Sequence, residues 1–318
     1  MLKRLSSLSP VRSVRRFRRI LASLETIPEL ETKIEQCIVA YQKDARFADR
    51  VPAFRASARP EPVVAHVTDA VGRAAVHDDP CPHCVVEEFV PEDLYDEMMS
   101  ALPSPVFFKQ QEKTREEIQV PFGFAPAYSR IVWDFFYARA IEDALLPALT
   151  SRFRPALDRV IARYWPEFGT WHDSGLRLCV TNSRLLLRRP GYVIKPHRDP
   201  RWHFVTCLIY LQKRDAIGAY GTQLYRLREE HEPAHNSPFR LELSDCELVK
   251  DVPARRNAVL AFVNSAGAHG ASIPSDAPGS LERYVYQVQF GPDEPAKQRL
   301  IAALSESDRP GWLTKLAY

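Results

Sequence analysis

The sequence predicts an α+β protein whose core is mainly β, and three observations carry that reading. After Trp171 the chain turns into short β-rich runs at 177–188, 192–196, 203–211, 221–227, 239–249, 257–264 and 283–290, separated by turn residues such as Pro190-Gly191, Asp199-Pro200 and Pro278-Gly279. Runs of this length with no helix between them belong to an antiparallel sandwich, jelly roll or barrel, not to a parallel α/β sheet. Before Trp171 apolar residues recur at three- and four-residue spacing, which predicts flanking helices. The chain also holds only 12 glycines against 26 prolines, with no G-x-G-x-x-G and no G-x-x-x-x-G-K-[ST], so folds that cradle a nucleotide phosphate lose their support.

At the N-terminus Ser9-Pro10 reads as a cap and first helical position, and Val11, Val14, Phe17, Leu21 and Leu24 follow at helical spacing. Residues 1–20 carry seven Lys and Arg and no acid, +7 within a net of +3, which leaves −4 for the rest. A basic amphipathic helix over 1–25 could contact a membrane surface, bind RNA or act as a transit peptide; the plainer reading is a solvated face on a docked helix. The downstream balance argues against sequence-specific nucleic-acid binding by the whole protein. A second helix follows Thr26 and Pro28, with Ile27, Leu30, Ile34, Cys37 or Ile38, and Tyr41 spaced for a helical hairpin or a homo-oligomer contact. From Asp44 to Pro80 the chain is rich in Ala, Arg and Pro and reads as an irregular connection. The expected division is therefore 1–80, basic helices and linker, and 81–318, the body, with its β core at about 170–291.

Cys81-Pro82-His83-Cys84 matches a thioredoxin-like redox motif, but it runs into the strand-like VVEEFV instead of opening a helix, so a redox role is not expected. No second Cys/His pair follows at zinc-ligand spacing. The six cysteines are scattered, two of them inside apolar runs, a usage that fits a reducing compartment and predicts a cytoplasmic protein. Its longest apolar stretches, such as VTCLIYL at 205–211, fall far short of the ~18 residues a membrane span needs. Residues 91–102 read as a helix with Leu94, Met98 and Leu102 inward. Residues 138–164 read as helical, broken near Pro147 and Pro155.

Chemistry concentrates in the β region. In RRPGYVIKPHRDP at 188–200, His197 and Asp199 stand two apart on an extended chain and project to one side. The apolar strand of VLAFVNSAGAHGASIP at 259–274 leads to His269, far enough along for a return path that brings a second imidazole to the first pair. Two His and one carboxylate on one face of an iron leave positions open for substrate and oxygen. Arg283 opens the run RYVYQVQF and, pointing inward, would offer a fixed charged fork to a carboxylate.

With Pro190-Gly191 before His197-Arg198-Asp199, GTQLYR at 221–226, His269-Gly270 and Arg283, the sequence resembles the Fe(II)- and 2-oxoglutarate-dependent dioxygenases, in particular their prolyl-hydroxylase-like branch. The resemblance covers roughly 170–291, with a fainter match at 83–103. It implies a double-stranded β-helix, or jelly roll, with a helical N-terminal extension and flanking helices, and makes 81–318 the dioxygenase domain. It implies Fe(II) held by His197, Asp199 and His269, with 2-oxoglutarate, O2 and supporting ascorbate. The far carboxylate of 2-oxoglutarate would meet Arg283, helped by a hydroxyl for which Tyr192 and Thr206 are candidates. No catalytic residue beyond the metal ligands is implied. The reaction would be hydroxylation of an unactivated C–H bond of a small-molecule, glycan or peptidyl substrate, with release of succinate and CO2. Asp199 favours this over halogenation, since related halogenases lack the carboxylate. The gap from His269 to Arg283 is longer than is usual in the family, and an enlarged turn at SDAPGS, 275–280, would absorb it.

Arg184, Arg188, Arg189, Lys195, Arg198 and Arg201 surround the motif with Asp199 as the only acid, so a basic mouth could steer an anionic substrate, with Arg184, Arg188, Arg198 and Trp171 as candidate contacts. Alternation along strands argues instead that several of these point to water. His203 reads as a structural histidine. The competing class is a cupin-like domain that binds metal or ligand without catalysis, with the N-terminal helices as an interaction arm.

Overall fold

The computed structural model describes residues 50–105, 108–119, 126–212, 220–228, 239–264, 267–309 and 312; the two N-terminal helices expected above lie outside them. Helices α1 (Arg50–Ser57) and α2 (Pro60–Arg73) lead to short strands β1 (Val76–His77) and β2 (His83–Val86) and to α3 (Glu92–Ser100). A charged hairpin, β3 (Lys109–Glu112) and β4 (Arg115–Gln119), precedes a helical run: α4 (Ala127–Phe136), a π-helical segment (Tyr137–Leu145), α5 (Leu146–Arg152) and α6 (Arg154–Tyr164). Then come β5 (Leu178–Arg188), β6 (Val193–Arg198), β7 (Val205–Leu211), β8 (Thr222–Leu227), β9 (Phe239–Arg240), β10 (Cys246–Val252), β11 (Ala258–Val263), β12 (Ala268–Ser272), β13 (Arg283–Pro292) and α7 (Glu294–Ala303). No helix among the described residues is long and apolar enough to cross a membrane.

The strands form two antiparallel sheets, one in the order β1-β2-β11-β7-β13-β5-β4-β3 and a smaller one in the order β10-β8-β12-β6-β9. From β5 to β8 successive strands alternate between the sheets, and from β10 to β13 they do so again. Period-two alternation decides what each face of the large sheet meets. Leu186, Leu208, Tyr210, Leu260, Phe262 and Val285 join Leu224 and Val252 of the small sheet in one buried cluster between the sheets. Their strand neighbours Leu185, Leu187, Ile209, Val259, Ala261, Tyr284 and Tyr286 turn the other way, into a second core shared with the helices.

Three stretches depart from the sequence reading. The stretch from Asp44 to Pro80 is not irregular throughout, because α1 and α2 lie within it. Val63, Val67, Ala70 and Val71 of α2 are buried in the helix-side core, and Pro60 and Pro62 fall in the first turn, where a missing N–H costs nothing. Pro147 does not break the helical run; the π-helical turns end just before it and α5 carries it in its first turn. The break falls at Phe153, followed by Pro155 in the first turn of α6. The run 239–249 divides, β9 pairing with β6 at one edge of the small sheet and β10 with β8 at the other.

At 81–84 the strand β2 begins at His83 and the next helix only at Glu92. Burial pushes both the Cys81 and Cys84 thiols up to about 12, the opposite of what an attacking thiolate requires.

Candidate metal centre

His197 on β6 and His269 on β12 are directly opposed in the ladder of the small sheet, and Asp199 follows β6 by one residue. The ring centroids of the two histidines are 4.2 Å apart. His197 Nε2 lies 3.9 Å from Asp199 Oδ1, and His269 Nε2 lies 3.8 Å from Asp199 Oδ2. One ligand atom from each residue fits within 4.8 Å of the other two, and no other group of three or more such residues among those described does so. His197 Nδ1 lies 3.0 Å from the Lys195 carbonyl, so that nitrogen carries the hydrogen and Nε2 keeps its lone pair for a metal. The Phe262 ring packs against His269 at 4.7 Å. Gly270 lets β12 approach β6 this closely, since a Cβ there would sit 2.9 Å from the Ile194 carbonyl oxygen. Gly191, at φ +84°, takes the left-handed turn between β5 and β6.

Burial works against charge on the imidazoles. It lowers His197, and it lowers His269 to about 3, with the neighbouring His197 adding to the effect. Both rings are neutral at pH 7, the form that binds a metal. Burial would raise Asp199, but the two imidazoles in their protonated forms and the Thr206 hydroxyl bring it down to about 2. With both rings neutral, the Thr206 hydrogen bond keeps its hold on the carboxylate.

Arg283 begins β13, directly opposite Arg188 on β5, and is buried. Its Nε and Nη1 atoms find no hydrogen-bond partner among the described residues. Burial lowers its pKa, and Tyr210, Tyr192 and Asp251 oppose this. A guanidinium taken out of water without an acceptor is costly, and a carboxylate is the partner that matches its fork. By their chemistry the pair of imidazoles with a carboxylate fits a divalent metal such as iron, and the unpaired guanidinium fits a carboxylate.

The other candidates divide. Tyr192 is buried beside Arg188, whose guanidinium lies 4.9 Å from its ring centre, and it acts on the charge of Arg283. Thr206 is not brought to Arg283; its hydroxyl donates to Asp199 Oδ2 at 2.7 Å. Trp171 does not line an entrance but is buried edge-on against Phe204 in the helix-side core. Arg198, between the two motif residues, turns to the opposite face and donates Nε to the Gly267 carbonyl at 3.0 Å. Arg184 pairs with Glu117 at 3.1 Å, Arg189 with Glu116 at 2.7 Å, and Lys195 with Glu242 at 2.8 Å. Arg188 donates to the carbonyls of Glu116 and Leu187, and Arg201 stacks over Tyr164 and Trp312. The cations that surround the motif in sequence are thus largely engaged by protein groups brought from elsewhere.

Sequence reasoning missed Tyr210, Asn182 and Gln289. Gln289 Nε2 donates to Asp199 Oδ2 at 2.9 Å, and Asn182 Nδ2 donates to Gln289 Oε1 at 2.8 Å. A signal existed for Gln289: the polar residues of RYVYQVQF fall at 283, 287 and 289, all on the face of Arg283.

Three solved structures illustrate the likeness of this chain to known proteins. A prolyl 4-hydroxylase from Phytophthora capsici is 18% identical with a TM-score of 0.41, over 80% of this chain and 72% of its own. HygX from Streptomyces hygroscopicus, solved with nickel and 2-oxoglutarate bound, is 15% identical with a TM-score of 0.42, over 67% and 83%. An oxidoreductase of the 2OG-Fe(II) oxygenase family from Burkholderia pseudomallei is 10% identical with a TM-score of 0.38, over 66% and 84%. No family model matches the chain, and no curated protein does.

Proposed function

We propose that this protein is an Fe(II)- and 2-oxoglutarate-dependent oxygenase that hydroxylates an unactivated C–H bond of a small-molecule, glycan or peptidyl substrate. The observation that carries the reading is the pairing of two unmet needs: a His197-Asp199-His269 donor set, and the buried Arg283 with orphaned Nε and Nη1. The alternation of β5–β8 and β10–β13 between two facing sheets supports a double-stranded β-helix, the winding that the sequence resemblance implies.

Iron and 2-oxoglutarate, when bound, would supply the oxidising power, with O2 consumed and succinate and CO2 released. The chain's own part is to bind and to exclude water. His197 and His269 offer neutral Nε2 atoms, Asp199 supplies a negative charge that needs no proton removed at pH 7, and Arg283 meets a carboxylate at the far end. Leu186, Leu208, Leu224 and Val285 wall the interior with apolar surface, which strengthens each polar contact made there.

The test is anaerobic titration of the Fe(II)-loaded protein with 2-oxoglutarate, followed by succinate release in air with ascorbate. Saturable binding and slow succinate release are expected, and His197→Ala should abolish both. Metal uptake without 2-oxoglutarate binding would overturn the oxygenase reading in favour of a non-catalytic metal-binding domain.

A further inference from the structure

Asp199 has two carboxylate oxygens, and the protein occupies one of them. Oδ2 accepts the Thr206 hydroxyl at 2.7 Å and Gln289 Nε2 at 2.9 Å, whereas Oδ1 accepts no hydrogen bond among the described residues. Gln289 Nε2 also lies 3.3 Å from Thr206 Oγ1, and Gln289 Oε1 accepts Asn182 Nδ2 at 2.8 Å. Asn182 gives a proton to Gln289 Oε1, and one N–H of the Gln289 amide goes to Asp199 with Thr206 Oγ1 as its longer, shared contact. Thr206 gives its own to Asp199. Asp199, as a carboxylate, only accepts, so Gln289 presents Nε2 to it and Oε1 is left to accept from Asn182 Nδ2.

The network is built into the sheet. Gln289 is directly opposite Asn182 on β5 and Thr206 on β7, so three neighbouring strands of the large sheet present these groups in one row. Thr206 and Gln289 are buried, where a hydrogen bond to a charged group is strong and a misplaced one is costly. Asp199 comes from the small sheet, so the row fixes a ligand that its own sheet does not hold.

We infer that Gln289, anchored by Asn182 and acting with Thr206, is a positioning residue that reserves Asp199 Oδ2 and leaves Oδ1 for the metal. Asp199 then coordinates through one oxygen, and one more position stays open than if both oxygens bound. This rests on the reading of His197, Asp199 and His269 as a metal site.

The experiment uses Co(II) as the probe, bound to the full-length protein and to Gln289→Met, which keeps the volume and removes the donors. The dissociation constant is read by titration and the coordination from the visible Co(II) absorption bands. Gln289→Met should weaken Co(II) binding by about 10- to 100-fold, the usual cost of removing a partner of a metal ligand, and should shift the bands. Asn182→Ala, at a partly exposed position, should weaken binding in the same direction but less; it carries the test if Gln289→Met does not fold. Unchanged affinity and an unchanged spectrum in the folded variant would overturn the inference while leaving the metal site standing. Failure of the unaltered protein to bind Co(II) would instead remove the reading on which the inference rests.

Discussion

His83, His197, His203 and His269 are all shifted below the ordinary imidazole range, and in each the first cause is burial. For His83 the neighbours Lys250 and His77 push the same way, while the Cys81 carbonyl and Asp79 oppose them. A folded pKa below the unfolded value means that the unfolded chain takes up protons first as pH falls. Stability is therefore fully present above the unfolded value, roughly 6.5, and is lost as pH falls toward the folded value. For His269 that window reaches down to about 3. The metal-free protein should melt at a lower temperature at pH 5 than at pH 7, and His83→Asn, which can still bond the Cys81 carbonyl, should soften the drop; a flat melting profile would show that burial does not govern these rings. Arg283 gives the opposite kind of test. Arg283→Leu removes an unpaired buried charge, so the melting temperature should hold or rise, while 2-oxoglutarate binding to the Fe(II)-loaded protein should weaken by at least about 100-fold in calorimetry.

At the scale of elements, the strand runs with apolar character were legible because burial leaves a mark on composition: Val205–Leu211 and Ala258–Val263 are buried along their whole length. The hairpin β3–β4 was not, since KQQE and REEIQ at the sheet's outer edge lack an apolar alternation. Helix α2 was masked by its prolines, although Val63, Val67, Ala70 and Val71 follow a helical stripe once the first turn is allowed to hold Pro60 and Pro62. Because Val67 is completely buried, Val67→Ala should cost about 2 kcal/mol in urea unfolding. An irregular linker would tolerate the change with no measurable loss.

Over the whole molecule, the proposed metal ligands and Arg283 were readable because their residue types are unusual in strands and their order along the chain is informative. Thr206 was read as a candidate beside Arg283 and not as a partner of Asp199, and Asn182 and Gln289 were not singled out, since a polar residue at an alternate strand position looks the same whether it meets water or a buried carboxylate. The basic mouth read around the motif fails for a related reason: Glu116, Glu117, Glu242 and Glu282 reach those cations from distant parts of the sequence. The remaining basic feature is the +7 segment at residues 1–20. Removing residues 1–25 should leave 2-oxoglutarate binding unchanged and reduce binding to anionic vesicles in a flotation assay; loss of 2-oxoglutarate binding would make the segment part of the catalytic unit. Strand β13 lies between β5 and β7 in the large sheet and bears both Arg283 and Gln289, yet it is the last described strand in chain order. During synthesis the three proposed metal ligands leave the ribosome before it does. Until then β5 and β7 each lack a neighbour along an apolar edge, the condition in which nascent chains recruit chaperones or pair with one another. On the proposed function, competence to bind the cosubstrate therefore arrives in the same step that closes the sheet, and a chain stopped short of Arg283 would lack both.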